Sequence, residues 1–189
     1  MFTLIKKNKI LVILLAIFSI LFLFDKTIFN KPKTPPKTIQ DIKRASYQNL
    51  TPGSSTKEQV TEILGNPLKE EADGTILKFT SSAPGKPHEV VIKENNILLI
   101  KETITINDDK KVNDIKKEFG EPKKILFGPG YTSEFYLSVY PENGIAYIGQ
   151  DASGVLLEVW YFTPTNINDF IINYAPNYTR TPPSHESGY

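Results

Sequence analysis

Hydrophobic and polar residues follow two different periods along this chain, and one stretch has no polar period at all. In "LTPGSSTKEQVTEILGNP" (Leu50–Pro67), Val60, Ile63 and Leu64 fall at i, i+3 and i+4, one apolar stripe on a short helix. Thr56 with Gln59 forms a capping-box pattern, as does Ser55 with Glu58, and Gly65 and Pro67 stop the helix. "INDDKKVNDIKKEFGEP" (Ile106–Pro122) repeats the phrase. Asp108 or Asp109 is placed to cap it, Val112, Ile115 and Phe119 make the stripe, and Gly120 and Pro122 end it. "LGNP" closes the first phrase at Pro67, and "FGEP" closes the second at Pro122.

After each helix the period falls to two, the signature of strands. "LKEEA", "TILKFTSS", "HEVVIKE" and "ILLIKETI" follow the first helix; "KKILFG", "TSEFYLSVY", "GIAYIGQ" and "VLLEVWYF" follow the second. The turns match as well: "APGKP" with "PENG", and Asn95–Asn96 with "DASG" (Asp151–Gly154). A repeat of this length with matched caps and turns predicts two tandem α+β units sharing one layered sheet, with the helices on one face. A third helix is predicted in "TPTNINDFIINYA", capped by Thr165 or Asn166, with Ile167, Phe170 and Ile171 as its stripe. It is expected to dock as the second helix does.

The aperiodic stretch is "ILVILLAIFSILFLF" (Ile10–Phe24), fifteen residues without a charge or helix breaker, preceded by "KKNK". At about 1.5 Å per residue it covers roughly 22 Å, and flanking lysines make up part of a ~30 Å hydrocarbon core. No small-x-small cleavage site follows. The expectation is an uncleaved single-pass anchor in the lipid bilayer, N-terminus inside, with the globular part outside the cytoplasmic membrane. The organisation that follows is 1–26 stub and anchor, 27–45 Lys/Pro-rich linker, 46–104 first repeat, 105–178 second repeat with the C-terminal helix, and 179–189 disordered tail.

Charge sharpens this division. Residues 1–44 hold nine Lys/Arg and two Asp/Glu, whereas the remainder holds thirteen basic and nineteen acidic residues. An acidic globular part argues against nucleic acid as a partner. The chain has no cysteine, so disulfides, thiolate metal sites and a cysteine nucleophile are excluded.

Searching for chemistry yields little. His88 and His185 lack partners at ligand spacing, "NDDKKVND" lacks the oxygen pattern and turn glycine of a calcium loop, and "GPGYTS" is no phosphate cradle. No catalytic residue, metal or cofactor is expected. What remains is aromatic bias in the second repeat. Alternation puts Phe135, Leu137 and Val139 on one strand face and Tyr136, Ser138 and Tyr140 on the other. In "VLLEVWYF" it groups Val155, Leu157, Val159 and Tyr161 against Leu156, Glu158, Trp160 and Phe162. With helices on the all-apolar face, Tyr136, Tyr140, Glu158 and Trp160 are expected outward, the candidate partner-binding residues.

The "LTPGSSTKEQVTEILGNP" phrase resembles the glycine–cap–helix–LGxP signature of the SmpA/OmlA (BamE-type) envelope proteins. A tandem copy of helix plus antiparallel strands resembles the architecture of the beta-lactamase inhibitory protein. The resemblance covers about Leu50–Phe162. It departs from the lipoprotein members in lacking a lipidated cysteine, and from the inhibitory protein in lacking cysteine pairs. It implies a sheet face that binds a partner. The expected function is a membrane-anchored, extracytoplasmic binding or scaffold module recognising a protein or envelope component. The alternatives are an envelope hydrolase using carboxylates and a cleaved, secreted inhibitor-like protein.

Overall fold

The computed structural model describes residues 42–129 and 134–182. The apolar run Ile10–Phe24, most of the Lys/Pro-rich linker and the last seven residues lie outside them, and among the described residues no helix is long and apolar enough to cross a membrane. Among the described residues there are three α-helices: α1 (Lys57–Leu64), α2 (Val112–Phe119) and α3 (Ile167–Tyr174). Eight strands accompany them: β1 (Lys69–Glu71), β2 (Ile76–Phe79), β3 (His88–Lys93), β4 (Asn96–Thr103), β5 (Lys124–Leu126), β6 (Tyr136–Tyr140), β7 (Ile145–Gln150) and β8 (Val155–Phe162).

Local chemistry sets the helix ends. Thr56 caps α1 in a reciprocal box: Gln59 N–H donates to Thr56 Oγ1 (3.4 Å), and Thr56 N–H donates to Gln59 Oε1 (2.9 Å). α2 starts later than the acidic pair implied. Asp108 accepts from Thr105 N (2.6 Å) and Oγ1 (2.8 Å) and closes a 3-10 turn at Ile106–Asp108, and Asp109 is left-handed at φ 47°. The N-cap is therefore Lys111, whose N–H donates to Asp114 (2.9 Å). Gly65 and Gly120 end α1 and α2 in matching conformations, φ 81° with ψ −163° and −157°. That region is essentially closed to residues with a Cβ. The first helix N–H of each repeat also donates to its own hairpin turn, Lys57 N to Asn95 O (3.0 Å) and Val112 N to Gly154 O (3.1 Å). In the first of these turns the positive φ falls on Glu94 and Asn95, one residue earlier than expected, and Asn96 already begins β4.

All strand pairs are antiparallel, in the order β1-β2-β3-β4-β8-β7-β6-β5. Each repeat is a four-stranded meander, and the two meet back to back at β4–β8. β4 begins at Asn96 and β8 at Val155, so these two positions correspond between the repeats. Lys101 pairs with Trp160, Leu99 with Phe162 and Thr103 with Glu158. Counted from the strand starts, Leu99 corresponds to Glu158, Lys101 to Trp160 and Thr103 to Phe162. Exchanging the repeats turns either outer pair into the other, so an approximate two-fold axis passes through the Lys101–Trp160 pair. Both repeats carry a bulge at the same place, between Val91 and Ile92 and between Ile148 and Gly149. In β8 the bulge makes Leu157 the extra residue, which moves Leu156 into the core with Val159 and Tyr161 rather than onto the face of Glu158 and Trp160.

One sheet face carries Leu77, Val90, Ile100, Ile145, Tyr147 and Tyr161, and packs beneath Val60 and Leu64 of α1 and Val112, Ile115 and Phe119 of α2. Each fully buried Val, Leu or Ile here contributes about 1.5–3 kcal/mol relative to exposure. Ile63 is the stripe member that misses the core, at 43% exposure. Residues 43–50 lie on this face too. Ala45, Tyr47 and Leu50 are buried, Ala45 N–H donates to Asn143 O (2.9 Å), and Gly53 N–H donates to Ile97 O (2.7 Å).

α3 packs on the opposite face, against Leu126, Leu137, Val139, Ala146, Trp160 and Phe162. Helices on both faces replace the one-sided arrangement that patterning implied. The reason is composition: the second repeat is apolar on both sides, and α2 can cover only one. Asn166 caps α3 by accepting from Asn168 N and Asp169 N, both at 3.0 Å. Thr179, expected to open a loose tail, exchanges two 2.9 Å backbone bonds with Phe127 beside β5.

Phe170, fully buried, is the main anchor of α3, with ring centroids 4.6 Å from Phe162 and 6.3 Å from Trp160. Phe170→Ala is expected to lower stability by about 3–5 kcal/mol in urea unfolding. Trp160 is the chain's only tryptophan, so its emission should shift to the red in the folded variant as α3 loosens.

Candidate functional site

The register across β6, β7 and β8 divides the four candidate residues between the two faces. Tyr140 pairs with Ile145 and Ile145 with Tyr161, so Tyr136 and Tyr140 lie on the α1/α2 face. Val139 pairs with Ala146 and Ala146 with Trp160, so Trp160 and Glu158 lie on the α3 face. The expected set is therefore not one outward patch. Tyr140 is 2% exposed, donates to Gly120 O (2.8 Å) and stacks near Phe119 and Tyr147, so it holds the end of α2. Trp160 is 4% exposed between Phe170 and Tyr178, the latter edge-on at 5.8 Å. Glu158 accepts from Trp160 Nε1.

Trp160 marks the middle of a single cross-strand row that runs the width of the α3 face: Lys69, Lys78, Glu89, Lys101, Trp160, Ala146, Val139, Lys124. Within this row the two-fold axis relates Lys78 to Val139, Glu89 to Ala146, and Lys101 to Trp160. In the second repeat Trp160, Ala146 and Val139 are apolar and lie under α3, and only the edge residue Lys124 is charged. The half in the first repeat is charged and has no helix above it among the described residues. Apart from Lys69 at the exposed edge, its side chains are half-buried and linked: Lys78 to Glu89 at 2.5 Å, Lys101 to Glu89 at 3.4 Å, and Lys78 to Glu71 at 3.8 Å. Lys101 Nζ lies 4.9 Å from the Trp160 ring centroid, a cation–π contact at the boundary between the halves. Ile76 and Val91, both partly exposed, fill the neighbouring row.

Electrostatics differ along this surface. Burial pushes the Glu89 carboxyl up, but the hydrogen bonds and charges of Lys78 and Lys101 together outweigh it and hold it below the ordinary value. Glu158 goes the other way. Burial raises its carboxyl, and the Trp160 N–H and Lys101 offset only part of that. Such charge pairs add little to stability but specify which surface fits against them.

The α1/α2 face hides its own polar cluster. Glu102 is 6% exposed, accepts from Tyr161 Oη (2.9 Å) and pairs with Lys110. Burial, then the adjacent Glu102, pushes the Tyr161 phenol far up, and burial raises Tyr47 to about 12. His88 Nδ1 accepts from Thr103 N–H (3.0 Å), and burial lowers its pKa. The acceptor role and the depressed pKa both favour neutral imidazole, and His88 borders the Tyr47 ring edge-on at 6.0 Å. These contacts fix the join of the repeats. Among the described residues no group of three or more His, Asp or Glu gathers where a metal ion could sit. Lys78, Glu89 and Lys101 escaped sequence reasoning because they look like ordinary surface charges; the signal was their alternation with apolar neighbours in strands that the repeat aligns.

The sign of the Glu158 shift gives a test. The folded carboxyl keeps its proton to higher pH than the unfolded one, so stability falls as pH rises from the ordinary value of 4.5 through the folded pKa. Trp160 emission should titrate with a midpoint above 4.5 in the native protein, and Glu158→Gln should abolish that transition.

No protein-family model matches the chain, and no curated protein matches it. Among solved structures, the chain is similar to a DUF4309 family protein (YjgB) from Bacillus subtilis subsp. subtilis str. 168. The two are 17% identical with a TM-score of 0.44, over 67% of this chain and 90% of that one.

Proposed function

We propose that this protein is a membrane-tethered, extracytoplasmic binding module, built like the BamE-type envelope proteins, whose recognition surface is the charged sheet face of the first repeat. One observation carries the reading: the same sheet position occurs twice, and the two copies have opposite chemistry. In the second repeat it is Val139, Ala146 and Trp160, apolar and covered by α3. In the first it is Lys78, Glu89 and Lys101, half-buried, ion-paired and left uncovered among the described residues. A sheet surface with ion-paired alternating charges and two apolar side chains between them suits a protein of complementary charge pattern. The apolar run at Ile10–Phe24 supplies the tether in this reading, and the acidic globular part supports a protein partner over nucleic acid.

A photo-crosslinking side chain in place of Val91, in the full-length chain in its native cells, should give one defined protein adduct. The same group at Glu62, on α1 across the sheet, should not. Lys78→Glu combined with Lys101→Glu should abolish the adduct while circular dichroism stays unchanged, and raised salt should weaken it. Equal adducts from both positions, or none from Val91, would sink the assignment.

A further inference from the structure

The α1/α2 face holds a second feature, on the other side of the sheet from the charged row. Where residues 43–46 pass α2, a cleft of about 350 Å³ opens. Its size falls at the low end of small-molecule sites, roughly 300–1,000 Å³. Its floor is apolar, with Ile115 and Phe119 from α2 and Ile145, Leu156 and Val159 from the sheet. Its rim carries four cations, Lys43, Arg44, Lys110 and Lys111, and two carboxylates, Asp114 and Glu118.

The partners of these charges decide what the rim can do. Glu118 pairs with Lys43 at 2.7 Å, and Asp114 accepts from the Lys111 backbone N–H at 2.9 Å. Lys110 is held by the buried Glu102. Among the described residues, Arg44 and Lys111 have no carboxylate partner, and both side chains are exposed. Arg44 and Lys111 thus stand as two cations without an ion pair at the mouth of an apolar cleft, against one carboxylate, Asp114, that likewise has no ion pair among the described residues. One of them is an arginine, whose planar fork takes a carboxylate or phosphate through two hydrogen bonds.

We infer that this cleft binds a small amphipathic anion, its apolar body on the Ile145–Leu156–Val159 floor and its acidic head at Arg44 and Lys111. The site is independent of the charged sheet row and stands or falls without it. The charges exclude a purely apolar ligand, because desolvating Arg44 and Lys111 without a partner is costly. The floor excludes a bare inorganic anion, which would leave the apolar surface unused.

Methyl-labelled full-length chain in nanodiscs of zwitterionic lipid tests this with three probes: decanoate, decanol and inorganic phosphate. Decanoate should shift the methyl resonances of Ile115, Ile145, Leu156 and Val159 to saturation, with decanol and phosphate at least ~10-fold weaker. Arg44→Glu with Lys111→Glu should weaken decanoate at least ~10-fold while leaving the spectrum of the free chain unchanged. If that spectrum changes, Arg44→Gln with Lys111→Gln serves instead. Shifts that fail to saturate or that spread to the α3 face would overturn the site. Decanol binding as tightly as decanoate, or a charge-altered chain binding equally well, would overturn its chemistry.

Discussion

The pairing of β4 with β8 is the interaction on which the rest depends. Without the join β4 and β8 would each be an open edge, and the apolar surface beneath the helices would end there. Ile100 faces Tyr161 across the join and Glu102 faces Val159, so α1 and α2 sit over one continuous apolar surface. The buried Glu102 belongs to this constraint. Its carboxylate is held by Tyr161 from the second repeat and by Lys110 from the link between repeats, so register and connection are fixed together. A slip of one residue at β4–β8 would place Lys101 in the core and Glu102 against the opposite face.

The join also sets how the two faces diverge. A two-fold axis perpendicular to the sheet keeps α1 and α2 on one side and makes the other side two copies of one surface. The chain follows β8 with a helix, whereas β4 leads into the link to α2. Only one copy can therefore be covered by local chain. Replacing Lys, Glu and Lys by Val, Ala and Trp along the shared row matches each copy to its surroundings. Trp160 lies where the covered and uncovered halves meet, with Phe170 on one side and Lys101 on the other.

Much of the local structure was legible because it depends on residues close in sequence. The Thr56–Gln59 box, the Gly65 and Gly120 stops, the stripe of α2 and the eight strands follow from caps and periods. The repeat follows from their recurrence. The candidate site was less legible, for a geometric reason. Alternation says which residues of one strand share a face, but it does not relate β6 to β8 across β7. Tyr140 and Trp160 thus appeared on one surface when register puts them on two. The bulge at Leu157 shifts the phase within β8 itself, which no alternation rule captures. The side chosen by α3 depends on which face still needs cover, a property of the assembled sheet. Arg44 and Lys111 were unremarkable as residues and gain meaning only from the cleft between them.

The order of the strands has a consequence during synthesis. β4 is central in the finished sheet and starts at Asn96, yet its partner β8 starts only at Val155, after the whole of the second helix and three more strands. At about 5–20 residues per second, the free edge of β4 waits roughly 3–12 s for it during synthesis. That edge belongs to "NILLIKET", a sequence rich in β-forming apolar residues and a ready template for foreign strands. Lys101 and Glu102 break the apolar run in its second half. The same two residues that organise the join in the native protein therefore act earlier as gatekeepers, keeping the half-made sheet from pairing with another chain.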